Sequence, residues 1–407
     1  MKSHSSVAKK KMLGVGAVVS GLIVIPIAYA SQTHNSYNNN QYFYHSHEDE
    51  APAAYENLHQ SRMSSSKGPV KIEGSSAIPE KRDFILNEKI NPCDDFHAYV
   101  CSNVEASFKL RDDRSSHTFS FNDSAERILE KKKQFFLNID NEKKLSKRSL
   151  QMKQYYKACM NETESANEER ALVRDLKAQV DKIKTVDDYI NLNITNMSKG
   201  SGDWSFVDFG TSANINNPKI NDIFFVANFM FLPEHSYYDN KELVAAYIDL
   251  MTEFFATVYP EVPRADLKTR AENVVAFEQK FKPNYPLPAE WRKRWTEVNY
   301  VKRADFFKHT EKFNFKDFFK KYVPEKTLIR DFTPESMKFA VEEVKSENLQ
   351  ILKDMYVYRN ARGFMDDAFP ELYKKRMEFS FKYLGGSPTR PERQERCTRT
   401  VMSSFTK

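Results

Sequence analysis

Apolar residues recur at helical spacing along most of this chain, and that period constrains the fold more than any other feature. Ile128, Leu129, Phe135, Phe136 and Ile139 stand among charged neighbours as one side of an amphipathic helix. Leu172, Leu176, Val180 and Ile183 form a second stripe, and the hydroxyl of the following Thr185 is placed to cap a helix carrying Tyr189 and Ile190. Further helical patterns run from Leu243 to Val258, from Ala271 to Phe281 and from Met337 to Tyr358. The last opens on Thr333-Pro334-Glu335, which puts a capping residue, a proline preset for the first turn and an acid that complements the helix dipole in order. Two pieces depart from the period: Trp204 to Phe209 alternates apolar and polar residues, and Ile223 to Val226 is a β-favouring run. Joined through Asn214 to Pro218, they predict a small β-hairpin. The expected fold is therefore mainly α, a large multi-helix lobe with one hairpin. The aromatic cluster Phe306, Phe307, Phe313, Phe315, Phe318 and Phe319 reads as helical core packing rather than a ligand box.

At 407 residues, 40% of them hydrophobic, the chain is long enough for one large or two ordinary domains with filled cores. Its first thirty residues read as a secretory leader. Lys9-Lys10-Lys11 precede an apolar run from Met12 to Ile27, and Ala28-Tyr29-Ala30 offers a small-x-small cleavage site. The run is shorter than the roughly 20 apolar residues a spanning helix needs, so no stable membrane span is expected and an uncleaved anchor is the lesser alternative. Of the 62 Lys and Arg, four precede the cleavage site, leaving 58 against 56 acidic residues. That near-balance argues against nucleic acid as a partner, and eleven glycines leave no room for a glycine-rich phosphate cradle. Residues 31–82 are polar and poor in branched apolar side chains, as expected of a disordered linker. His45, His47 and Glu48 within it read as a solvated tail rather than a zinc site, which wants four converging ligands. Residues 83–407 then form the folded domain. The expected location is exported, either periplasmic or extracellular, where disulfides persist.

The segment Asn91-Pro92-Cys93-Asp94-Asp95-Phe96-His97-Ala98-Tyr99-Val100-Cys101 frames an acidic pair and aromatics between two of only four cysteines. Five further elements follow in order: Lys157-Ala158-Cys159-Met160-Asn161-Glu162, Ser205 to Asp208, Phe231 to Tyr238, Val274 to Glu278, and Arg393 to Cys397 with Val401. Together they resemble the amino-terminal domain of the neprilysin family of zinc metallopeptidases, related to endothelin-converting enzymes, from about Phe84 to Phe405. The resemblance implies a substrate-chamber-forming lobe of an exported zinc metalloendopeptidase acting on short peptides. Chemistry in that family belongs to a HExxH helix, in which two His bind zinc and the Glu acts as general base on the metal-bound water. No HExxH occurs in this sequence, and the nine histidines offer no pair at ligand spacing in the folded region. Zinc is therefore expected only in a complete enzyme, and the chain alone should not hydrolyse peptides; it reads as a truncated product or one half of a split enzyme. A catalytically inactive exported peptide- or protein-binding protein is the alternative.

The same resemblance implies a disulfide between Cys159 and Cys397, and implies that Cys93 and Cys101 bond cysteines of the catalytic half, which would dock near them. Read from the residues alone, that pair either joins internally or remains available to another polypeptide. On one continuous helix they would stand about 12 Å apart, beyond disulfide reach. Arg114 resembles the family's arginine for a substrate's terminal carboxylate, which a guanidinium grips with two hydrogen bonds. Ser116 competes for that position, and a structural ion pair is the plainer role for Arg114. For Asp94 and Asp95, helix capping is expected rather than a catalytic dyad, since neighbours on a helix point about 100° apart. Asn161-Glu162-Thr163 and Asn193-Ile194-Thr195 match glycosylation sequons but read as incidental.

Overall fold

Fourteen α-helices and four short strands make up residues 84–405, apart from 120, 143 and 200–203, in a computed structural model that describes only these residues. The expected leader, linker and tail histidines lie outside the described residues. The helices are α1 (Phe96–Ser107), α2 (Phe121–Asn138), α3 (Lys147–Met160), α4 (Glu162–Asp181) and α5 (Val186–Lys199). Strands β1 (Val207–Ala213) and β2 (Asn221–Ala227) follow, then α6 (Lys241–Val258), α7 (Arg264–Phe281) and α8 (Pro288–Thr296). Next come β3 (Tyr300–Val301), α9 (Arg303–His309), α10 (Phe315–Tyr322), β4 (Ile329–Asp331), α11 (Pro334–Glu343), α12 (Leu349–Ala361), α13 (Pro370–Leu384) and α14 (Arg393–Phe405). The mainly α lobe with a small sheet is thus as the sequence predicts. No helix among the described residues is long and apolar enough to cross a membrane.

Local chemistry explains the boundaries. Asn240 caps α6 by accepting from the backbone N–H groups of Glu242 and Leu243, and the buried stripe of that helix runs Leu243, Tyr247, Leu250, Met251, Phe254, Phe255 and Val258. At the start of α5, Thr185 Oγ1 accepts from Asp188 N–H while the Asp188 carboxylate accepts from Thr185 N–H, a reciprocal cap. Thr333 stands at the start of α11 but its buried hydroxyl makes no hydrogen bond, so Pro334 and Glu335 carry that boundary. The helical run predicted from Met337 to Tyr358 is two helices. Asn348 Nδ2 donates to the Glu343 carbonyl and carboxylate, which satisfies the end of α11 and breaks the stripe before α12 begins.

The predicted hairpin is present and belongs to a larger sheet of order β1-β2-β4-β3, in which β2 pairs parallel to β4 and the other neighbours are antiparallel. Asn214 builds the β1–β2 turn by accepting from the N–H groups of Asn216 and Asn217. Gly210 stands opposite Phe224, whose ring would lie 2.4 Å from any Cβ placed there. Arg330 on β4 is only 2% exposed and donates to the carbonyls of Trp295 and Glu297 while its guanidinium lies over the Phe332 ring.

Two hydrophobic cores are separate. The larger runs from Val173 on α4 through the sheet to Phe379 on α13, and the predicted aromatic packing of Phe306, Phe313, Phe315, Phe318 and Phe319 lies within it. The smaller core holds Phe136, Ile139, Tyr155, Tyr156, Cys397 and Val401, joining α2 and α3 to α14. Helices α2 and α3 therefore rest on α14.

Candidate functional site

Charge is concentrated where the segment before α2 meets α14. Arg114 is 16% exposed and its guanidinium is committed to three carboxylates: Nε donates to Glu126 at 2.8 Å, Nη1 to Asp113 at 3.0 Å and Nη2 to Glu395 at 2.7 Å. Arg111 reaches the same three acids, and Arg399 Nε adds a 3.0 Å bond to Glu395. Burial alone would raise the Glu395 pKa, but the charges of Arg114 and Arg399 overcome this and hold it below the ordinary range. Beside the network lies an open groove of about 400 Å³ lined by Lys109, Arg111, Asp112, Asp113, Arg390 and Glu392. Glu126, Glu395 and Arg111 carried no short-range sequence signal, since the acids reach Arg111 across 15 and 284 positions.

The cysteine-methionine-asparagine element sits where α3 ends and α4 begins. Cys159 bonds Cys397 at 2.02 Å, Asn161 caps α4 through a bond from Glu164 N–H, and Arg393 donates to the Cys159 carbonyl and to Asp367. Asn193 is fully buried, donates to the Tyr189 carbonyl and accepts from Phe206 N–H, so a glycan has no access to it.

Two other elements meet in the main core. Tyr238 Oη accepts from the N–H groups of Phe231 and Leu232 and donates to Glu278 Oε2 at 2.5 Å, while Tyr247 Oη donates to Glu278 Oε1 at 3.2 Å. Burial pushes Glu278 up to about 7, although Arg359 and the Tyr238 hydroxyl oppose the rise. Glu278 falls within the buried stripe Val274, Val275, Phe281 of α7, and a carboxylate inside such a stripe was the available signal for a buried polar node. Tyr247 gave no such signal, because an aromatic in a stripe reads as core.

The opening segment forms the entrance to α1. Asp95 is its cap, accepting from Ala98 N–H at 2.8 Å, which matches the capping expectation for that member of the acidic pair. Cys93 lies in the preceding turn and Cys101 within α1, and both are free thiols. The described histidines do not assemble a HExxH-type zinc centre. His117 is bonded to Asp123, while His235 and His309 lie on separate elements. One group with metal-ligating character is His97, Cys101 and Glu105, whose donor atoms lie within 4.8 Å of one another.

An amino-terminal model of peptidase family M13 matches residues 92–407. The chain belongs to this family. Its fold matches the M13-type zinc metalloprotease Zmp1 of Mycobacterium tuberculosis in complex with an inhibitor, with a TM-score of 0.68 at 17% identity, covering 81% of this chain and 51% of that one. The open state of the same protease gives a TM-score of 0.61 at 16% identity, covering 78% and 50%. PepO from Lactobacillus rhamnosis gives 0.60 at 12% identity, also covering 78% and 50%. This M13 chain thus spans about half the length of the solved structures it matches. No curated protein matches it.

Proposed function

We propose that this chain is the amino-terminal, chamber-forming lobe of an exported zinc metalloendopeptidase acting on short peptides, and that it is not catalytic by itself. The observation that carries this reading is the family match over residues 92–407 in a sequence without HExxH. The catalytic zinc belongs, in this reading, to the half of such an enzyme that carries HExxH, because the described histidines do not assemble that centre.

An apolar face that no described residue covers supports docking of a catalytic half. Phe121, Ile128 and Phe135 recur every seventh residue on α2 and are 74%, 52% and 38% exposed, while Leu129 and Phe136 on the adjoining stripe are buried against the lobe. This α2 surface is the one we assign to the catalytic half, and Phe96, exposed on α1 close in sequence to Cys93 and Cys101, is a second apolar contact for it. Peptides are the proposed substrates. Arg114 contributes in our reading by bracing the segment beside the groove, since gripping a peptide carboxylate would require it to release Glu126 or Glu395.

The test is turnover by the purified chain. Short quenched-fluorescent peptides incubated with zinc should remain uncut, because the sequence contains no HExxH and so lacks that helix's zinc-binding His pair and its general-base Glu. Hydrolysis that a chelator abolishes would overturn the non-catalytic assignment.

A further inference from the structure

His97, Cys101 and Glu105 follow one another at intervals of four along α1, so they project from the same side of the helix. Their nitrogen, sulfur and oxygen atoms lie within 4.8 Å of one another, and His97 Nε2 is 3.7 Å from Glu105 Oε1. The outer two side chains are 74% and 53% exposed, so both are free to change rotamer. Cys101 is half-buried and fixes the centre of the group. An ångström or so of closure brings all three donors to the roughly 2.0–2.3 Å bond lengths of zinc. Helix α1 contains no Lys or Arg, and the ion-pair partner of Glu105 is His97 rather than a fixed cation.

We propose that His97, Cys101 and Glu105 form a surface site for a soft divalent metal ion, zinc first, with water completing a tetrahedral shell. The thiol gives its proton to solvent as sulfur bonds the metal, so binding strengthens with rising pH. A thiolate and an imidazole select zinc or its softer neighbours over magnesium and calcium. The site does not rest on peptidase chemistry, but it competes with the lobe assignment for Cys101, whose sulfur that reading gives to the catalytic half. It belongs to the reduced chain, since a sulfur held in a disulfide cannot also bind the ion.

Cobalt is the probe. The full chain, reduced, freed of reductant and titrated with Co²⁺, should show a sulfur-to-cobalt absorption band saturating at one equivalent. Cys101→Ser should abolish the band, His97→Ala should weaken apparent affinity at least tenfold, and Cys93→Ser should leave both unchanged. All three positions are at least partly exposed, and an unchanged circular dichroism spectrum checks that each variant folds. No band in the reduced wild type, a band that survives in Cys101→Ser, or a band lost in Cys93→Ser would each overturn the proposed ligand set. Peptide turnover plays no part in the readout, so a failed lobe assignment leaves this result standing.

Discussion

At the residue scale, the charged groups that matter are those that the fold has removed from water. Glu395 is 1% exposed and depends on Arg114, Arg111 and Arg399. Arg114→Ala should therefore cost about 2–4 kcal/mol in chemical denaturation, because it strips a buried carboxylate of its nearest countercharge. Arg114→Lys should recover only part of that loss, since one ammonium cannot serve three acids. Glu278 behaves in the opposite sense. Its pKa is raised to about 7 in the fold against roughly 4.3 in an unfolded chain. Between those values the native state keeps a proton that the unfolded state has lost, so stability falls as pH rises through the window and levels off above it. Glu169, raised to about 7 mainly by burial, adds in the same direction. Glu278→Gln should flatten the fall measured between pH 5 and pH 8 by about 1–3 kcal/mol; an unchanged profile would remove Glu278 as its source. The residues of both clusters could be read in the sequence, but their pairings could not. Tyr238 and Glu278 are 40 positions apart, and the path between them exists only after α6 and α7 pack.

Helices were legible where a single side faces the core and obscure where two sides are apolar or strands are very short. α2 shows the first difficulty: Ile128 and Leu129, like Phe135 and Phe136, supply adjoining stripes of which only Leu129 and Phe136 are buried. Replacing Phe121, Ile128 and Phe135 together by serine should lower binding of a hydrophobic dye while changing stability by no more than about 0.5 kcal/mol per site. A large loss of stability would show that the stripe supports the lobe itself. β3 and β4 show the second difficulty. They are two and three residues long, too short for alternation to register, and β4 joins the sheet on the edge that β2 offers while β3 pairs in turn with β4. The split between α11 and α12 hinged on one asparagine side chain capturing a carbonyl, which periodicity does not detect.

For the whole molecule, the consequence of α14 packing on α2 and α3 is that two early helices of the described residues are secured by one more than 230 positions later. The Cys159–Cys397 bond spans 238 positions, and chain-entropy arithmetic puts its ceiling near roughly 5 kcal/mol. Replacing both cysteines by serine should lower the thermal midpoint, with protease cleavage appearing first among α2 and α3 rather than in the main core. Equal cleavage throughout would show that the two cores unfold as one. The order of the family elements along the sequence was enough to anticipate this domain, whereas its division into two cores depends on which helices α14 reaches. During synthesis that division imposes an order of events. The larger core can condense once α13 has emerged, but α2 and α3, made long before, stay without their partner until α14 leaves the ribosome. For roughly 240 residues of elongation, their apolar sides and a lone Cys159 thiol are exposed to whatever meets the nascent chain.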